Sequence, residues 1–232
     1  MNEGCVSEFE RRLKADLSGD APAIPVLLGL CGCGRTTALR RVQHDLGADR
    51  CQYVDVERSA TTPERFLQAL RCSSPFVAAE PRSDQSPSGA FEAVLSFLCK
   101  ARCRDGRPAT FLLDEVLEFR TFESFPRLRN ALPELLSALA ATPNRFALAS
   151  RFVSRSERAI HGAPAPFVVS EMDALSAEAV SRLLEEAGPH RLDWPDGRED
   201  GGDCGRARRA GLVGRLCEGR PAFVRAVAET MA

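Results

Sequence analysis

Three short stretches carry the residue types that handle phosphate. The first, Gly29-Leu30-Cys31-Gly32-Cys33-Gly34-Arg35-Thr36-Thr37, meets every fixed position of G-x-x-x-x-G-K-[ST] except the lysine, which is Arg35. Glycines at 29, 32 and 34 let backbone N–H groups turn toward an anion, and the helix expected after them adds its N-terminal partial charge. Thr36 stands where a hydroxyl would meet Mg2+, with Thr37 beside it. The second stretch, Phe111-Leu112-Leu113-Asp114-Glu115, reads as a buried strand that ends in two acids. Asp114 would support Mg2+, and Glu115 would orient or deprotonate a water molecule. The third, Ala147-Leu148-Ala149-Ser150-Arg151, ends in a guanidinium that would contact a terminal phosphate and sense its presence. Each stretch also has a plainer reading: a glycine-rich turn, a solvated acidic turn and a surface arginine.

Position decides between these readings, because a phosphate loop works only between a strand and a helix. VLLGL (26–30) is a compact apolar run that enters the loop, and TTALRRVQHDLG (36–47) is a helix closed by Gly47. CQYVDV (51–56) predicts a second strand, and TTPERFLQALR (61–71) a helix with Pro63 near its first turn. A Ser/Pro-rich loop at 80–89 precedes a helix over 89–106, on which Cys99 and Cys103 would share a face. ATFLLDEV (109–116) is the third strand. Residues 125–141 predict a helix kinked or split at Pro133. Strands over 145–151 and 165–172 flank a short helix at 154–162. From Leu175 the pattern is helical (175–188 and 211–231), interrupted by a polar insertion at 193–209, and an amphipathic helix at 7–17 precedes everything. The repeated strand-helix order points to an α/β, three-layer core with a mainly parallel five-stranded sheet and a small C-terminal helical lid.

Composition narrows the function classes. With 232 residues the chain suits one large domain or a core with an appendage. A formal net charge of -1 gives no global basic field, so nucleic-acid binding rests on local features alone. Arg206, Arg208 and Arg209 are the weak local case, because no aromatic platform interleaves them. Lys14 and Lys100 are the only lysines among 31 basic residues, which makes an arginine at any one basic position unsurprising. The nine cysteines show neither a C-x-x-C pair nor zinc-ligand spacing, which points to free thiols and a reducing, cytoplasmic setting. Cys31 and Cys33 sit inside the loop, as small-residue filler or as a redox gate to the site. His44, His161 and His190 are far apart and read as structural or solvated, while Asp55 and Glu57 follow the second strand as surface acids or site neighbours. The polar N-terminus reads as no signal peptide, and no apolar run approaches the ~20 residues that span a bilayer.

Taken in order, GLCGCGRTT, FLLDE, ALASR and the Gly219-Arg220-Pro221 turn resemble the AAA+-related STAND group of signalling ATPases and the bacterial and archaeal AAA ATPase domain proteins near them. The acid pair separated from the loop by one intervening strand is similar to the additional-strand class of P-loop ATPases. The resemblance implies sheet order 5-1-4-3-2 and ATP with Mg2+ held between a core (23–172) and a lid (173–232), after an N-terminal helix and linker (1–22). Gly29, Gly32, Gly34, Arg35, Thr36 and Thr37 would hold the phosphates, with Thr36 and Asp114 on the metal. Glu115 and Arg151 would be catalytic, Ser150 would lie beside the nucleotide, and Pro221 would line the base. Two departures stand out: Arg35 replaces the loop lysine, and Ala149 replaces the threonine usual before Ser-Arg. The expected function is a nucleotide-dependent switch for a separately encoded protein partner, with ATP/ADP exchange, slow hydrolysis and no membrane; an oligomer is compatible with it. The alternatives are a DNA-linked AAA+ loader or remodeller and a non-catalytic adaptor. Within the 232 residues, the pattern predicts no winged helix or effector segment after the lid.

Overall fold

The computed structural model describes residues 5–19, 23–78, 86–163, 167–172, 176–186 and 203–230. Five strands, β1 (Ile24–Leu28), β2 (Cys51–Asp55), β3 (Thr110–Asp114), β4 (Arg145–Ser150) and β5 (Phe167–Glu171), pair side by side. All pairings are parallel and the order is β2-β3-β4-β1-β5, the expected order seen from the other edge. β1 and β3 are buried from end to end, as unbroken apolar runs are in a parallel sheet covered on both faces. β5 lies at an edge, and its residues are only half-buried or exposed. The register pairs Asp55 with Asp114 and Leu28 with Ser150. Asp55, Asp114 and Ser150 therefore end their strands at one carboxyl edge, the side where open α/β sheets take ligands.

Helices α1 (Cys5–Ser18), α2 (Arg35–Leu46), α3 (Val56–Ser59), α4 (Pro63–Cys72), α5 (Pro87–Lys100), α6 (Ala131–Ala140) and α7 (Val153–His161) fill the intervals. Helices α8 (Ala177–Glu186), α9 (Asp203–Leu216) and α10 (Pro221–Thr230) follow β5. The chain divides into two compact units. One comprises Glu10–Leu28 and Thr36–Glu171 and contains the sheet; the other comprises Met1–Phe9, Gly29–Arg35 and Met172–Ala232. In the sheet unit, Val26, Leu28, Phe111, Leu113, Phe146 and Leu148 lie in one core with Phe66, Phe91, Phe119 and Phe122. Phe111 stacks on Phe146, with centroids 5.6 Å apart, and meets Phe76 edge-on, the two arrangements that aromatic quadrupoles favour. Ion pairs Glu10–Arg41 and Lys14–Asp45 join α1 to α2. In the helical unit, Val180, Ala210, Val213, Cys217 and Val224 form a core of their own.

Several local expectations are corrected. Pro133 neither kinks nor splits a helix: α6 starts at Ala131, so the proline occupies the first turn, where its missing N–H has no intrahelical acceptor to lose. The segment before it is a 3-10 helix over Val116–Ser124, whose Phe119 and Phe122 are fully buried. Cys99 and Cys103 do not share a helix face, because α5 stops at Lys100 and Ala101 turns extended. Part of the expected polar insertion is helical, since α9 begins at Asp203; residues 193–202, His190 and most of the loop at 80–89 lie outside the described residues.

Candidate functional site

Asp114 is the centre of the acidic group. Strand β3 buries it to 3% exposure, and such a carboxylate needs polar partners. It has three: Thr36 Oγ1 donates to Oδ2 at 2.6 Å, Tyr53 Oη donates to the same oxygen at 2.8 Å, and the Glu115 backbone N–H donates to Oδ1 at 3.1 Å. Thr36, in the first turn of α2, thus meets an acid 78 positions further along the chain. Tyr53 comes from β2 through its parallel pairing with β3. Burial is the first cause that pushes its phenol above the usual range, and the negative Asp114 adds to it. The Arg40 guanidinium lies 4.4 Å from the tyrosine ring centroid, a cation–π contact.

Glu115 adopts a left-handed backbone, φ +56°, where a residue with a Cβ carries strain of about 1–2 kcal/mol. That conformation ends β3 sharply and starts the 3-10 helix. Its carboxylate accepts a hydrogen bond from the Arg151 backbone N–H at 3.1 Å, so the ends of β3 and β4 are tied together. Ser150 is fully buried, and its Oγ accepts from the Phe152 N–H at 3.1 Å. The Arg151 guanidinium pairs with Glu57 and Glu118; the Glu57 hydrogen bond first, then the negative charges of Glu115, Glu57 and Glu118, raise its pKa against the opposing effect of burial. Thr37 is exposed on α2.

The glycine loop and the Gly219-Arg220-Pro221 turn belong to the other unit, where they touch. Gly32 and Gly34 have φ of +82° and +103°, the left-handed region that favours glycine. Gly29 is required for a different reason: a Cβ there would lie 2.7 Å from Cys33 Sγ. The Gly32 carbonyl accepts a hydrogen bond from the Ala222 N–H at 3.2 Å, and Arg220 Nη1 reaches the Cys31 carbonyl at 3.5 Å. Pro221 opens α10, with fixed φ and no N–H to leave unpaired. Arg35 is buried at the first position of α2.

The expected residues fall into two groups, with Thr37 outside both and Arg35 where the loop meets α2. Thr36, Asp114, Glu115, Ser150 and Arg151 gather at the sheet's carboxyl edge, while the loop glycines and Pro221 lie in the helical unit. Three further residues were not read as partners from the sequence: Tyr53, Glu57 as the holder of Arg151, and Glu118. A tyrosine within CQYVDV is an ordinary strand residue until β2 is paired with β3. Among the described residues no group of three His, Cys, Asp or Glu side chains could hold a metal by themselves. The oxygen donors Thr36 and Asp114 instead suit Mg2+, which takes one or two protein oxygens and completes its shell with phosphate and water. No helix among the described residues is long and apolar enough to cross a membrane.

No protein-family model and no curated protein matches the sequence. Solved structures do. A Walker-type ATPase of Pyrococcus abyssi aligns over 96% of this chain with a TM-score of 0.62 and 16% identity. The Drosophila ORC bound to DNA aligns over 98% with a TM-score of 0.62 and 16% identity. The Aeropyrum pernix ORC1 protein in complex with DNA aligns over 97% with a TM-score of 0.59 and 18% identity. The chain spans 65%, 60% and 58% of those three structures, respectively. The likeness is one of fold: these structures share the α/β architecture built here on a parallel five-stranded sheet of order β2-β3-β4-β1-β5.

Proposed function

We propose that this chain is an ATP-binding switch of the STAND kind that turns over slowly and acts on a separately encoded protein partner. The observation that carries the proposal is the 2.6 Å contact between Thr36 Oγ1 and Asp114 Oδ2. A hydroxyl opening a helix and an acid ending a buried strand, brought together across 78 positions, are the oxygen pair that a phosphate-bound Mg2+ requires. The glycine loop, one peptide bond before Thr36, would hold the phosphates with its N–H groups, and Arg35 would supply the positive charge. When bound, Mg2+ would neutralise phosphate oxygens. Glu115, fixed by the Arg151 N–H, would orient water; Arg151 would read the terminal phosphate, with Ser150 beside it and Pro221 against the base. Such a site binds ATP and ADP differently, which is what a switch needs.

Calorimetry with ATP and ADP, with and without Mg2+, tests this on wild type, Thr36→Ala and Asp114→Asn. Wild type is expected to bind ATP more tightly with Mg2+, and either substitution should remove that gain, a loss of about 10-fold or more. A folded wild type that binds neither nucleotide would replace the switch with the adaptor reading.

A second reading has its own support: two of the structurally similar proteins are bound to DNA. Under it, the chain is a DNA-linked loader or remodeller. Duplex DNA would then stimulate ATP hydrolysis, and ATP would drive oligomers visible by sedimentation. The switch reading expects neither.

A further inference from the structure

Arg151 is already occupied. Its Nη1 lies 2.7 Å from Glu57 Oε2 and its Nη2 lies 2.8 Å from Glu57 Oε1, a two-point match of guanidinium to carboxylate. Nη2 is also 3.2 Å from Glu118 Oε1, and the guanidinium carbon lies 4.8 Å from the Phe152 ring centroid. Both terminal nitrogens are committed to carboxylates. Glu57 is not a loose surface acid that happens to be near. It belongs to α3, whose cap is Asp55, accepting the Arg58 N–H at 3.1 Å, so its place is set by the end of β2. Glu118 is held on the 3-10 helix that Glu115 opens.

Carboxylates and phosphates bind a guanidinium through the same planar fork. A phosphate can therefore take that same two-nitrogen face of Arg151 only by displacing Glu57. ADP brings no γ-phosphate to this competition; ATP does. The Glu57 and Arg151 side chains are 48% and 27% exposed, so water screens the pair and the competition is worth a few-fold in affinity rather than thousands.

The geometry points to Glu57 as a specificity-determining residue: its carboxylate occupies the γ-phosphate's place on Arg151 and sets how strongly the protein prefers ATP to ADP. This rests on the nucleotide-binding reading above. The switch then responds to the exchange of one anion for another on a single arginine. The acid lowers the preference for ATP while it holds Arg151 ready in the fork geometry.

The test is calorimetry of ATP and ADP, with Mg2+, on wild type, Glu57→Gln, Arg151→Ala and the double variant. Glutamine keeps the shape of Glu57 and removes the charge, so ATP should bind about 3- to 5-fold tighter while ADP affinity stays fixed. In the Arg151→Ala background, Glu57→Gln should change nothing, because the competitor has lost the group it competes for. An unchanged ATP-to-ADP ratio in Glu57→Gln, or the same shift with Arg151 absent, overturns the assignment of Glu57 alone. A wild type that binds neither nucleotide overturns the nucleotide reading, and this assignment falls with it.

Discussion

At position 35 a guanidinium stands where the loop motif has an ammonium. The charge is kept, but arginine is planar, longer and less compact than lysine, and here it is buried. A misdirected charge-assisted hydrogen bond costs about 1.5–3 kcal/mol, or about 10- to 150-fold in affinity or rate. Arg35→Lys should therefore raise ATP affinity or turnover within that range in a steady-state assay; if both stay fixed, the loop is already optimal with arginine. Glu57 gives a pH signature. Hydrogen bonding from Arg151 is the first cause that holds its carboxyl below the ordinary value of 4.5, and burial opposes it. A depressed carboxyl contributes its stability fully above the unfolded value and loses it as pH falls through the folded one. In thermal melts, the wild-type advantage over Glu57→Gln should be constant at neutral pH and shrink below pH 4.5. An advantage that persists undiminished at low pH would contradict the pairing. Asp114, Glu115 and Arg151 were legible because an apolar run ending in charge is itself a positional signal. The pairing of Glu57 with Arg151 was not, since the two are 94 positions apart and nothing in either local sequence names the other.

Elements show where local pattern is enough and where it is not. β3 and β4 are readable as apolar runs, and Gly47 ends α2 with φ +91°, as its position suggested. The 3-10 helix escaped because VLEFRTFES repeats its buried aromatics three apart, which fits no longer α-helical stripe. One residue joins several elements. Asn144, nearly buried before β4, accepts from Arg102 Nη1 at 2.8 Å and from the Ala109 N–H at 3.0 Å. Its amide donates to the carbonyls of Leu98 at 2.7 Å, Ala101 at 3.0 Å and Cys99 at 3.3 Å. It thereby fastens the end of α5 to the start of β3. Asn144→Ala would leave several of these groups unsatisfied, at about 1–3 kcal/mol each before relaxation. A loss of about 3 kcal/mol or more in denaturant titration is expected; a loss under about 1 kcal/mol would mean that water replaces the amide.

Across the whole molecule, chemistry follows burial. Burial raises the thiols of Cys99, Cys103 and Cys217, and pushes Cys51 up to about 12, whereas Cys31 and Cys72 are exposed. Brief alkylation of the native protein near neutral pH should label Cys31 and Cys72 well before Cys51, as peptide mass spectrometry would record. Equal labelling of Cys51 would mean that the edge of the sheet opens readily. Sheet order was legible at this scale because loop, acid and arginine followed in a known sequence; the grouping of residues 29–35 with helices from the far end of the chain was not, because nothing in the loop's local sequence names them. Tyr53 has a further consequence. It is the only tyrosine among the 232 residues, and its hydroxyl rests on the acid proposed to hold the metal. The chain thus carries its own spectroscopic reporter: one isotope-labelled phenol, with no competing signal of its kind, would register each change in the charge beside Asp114.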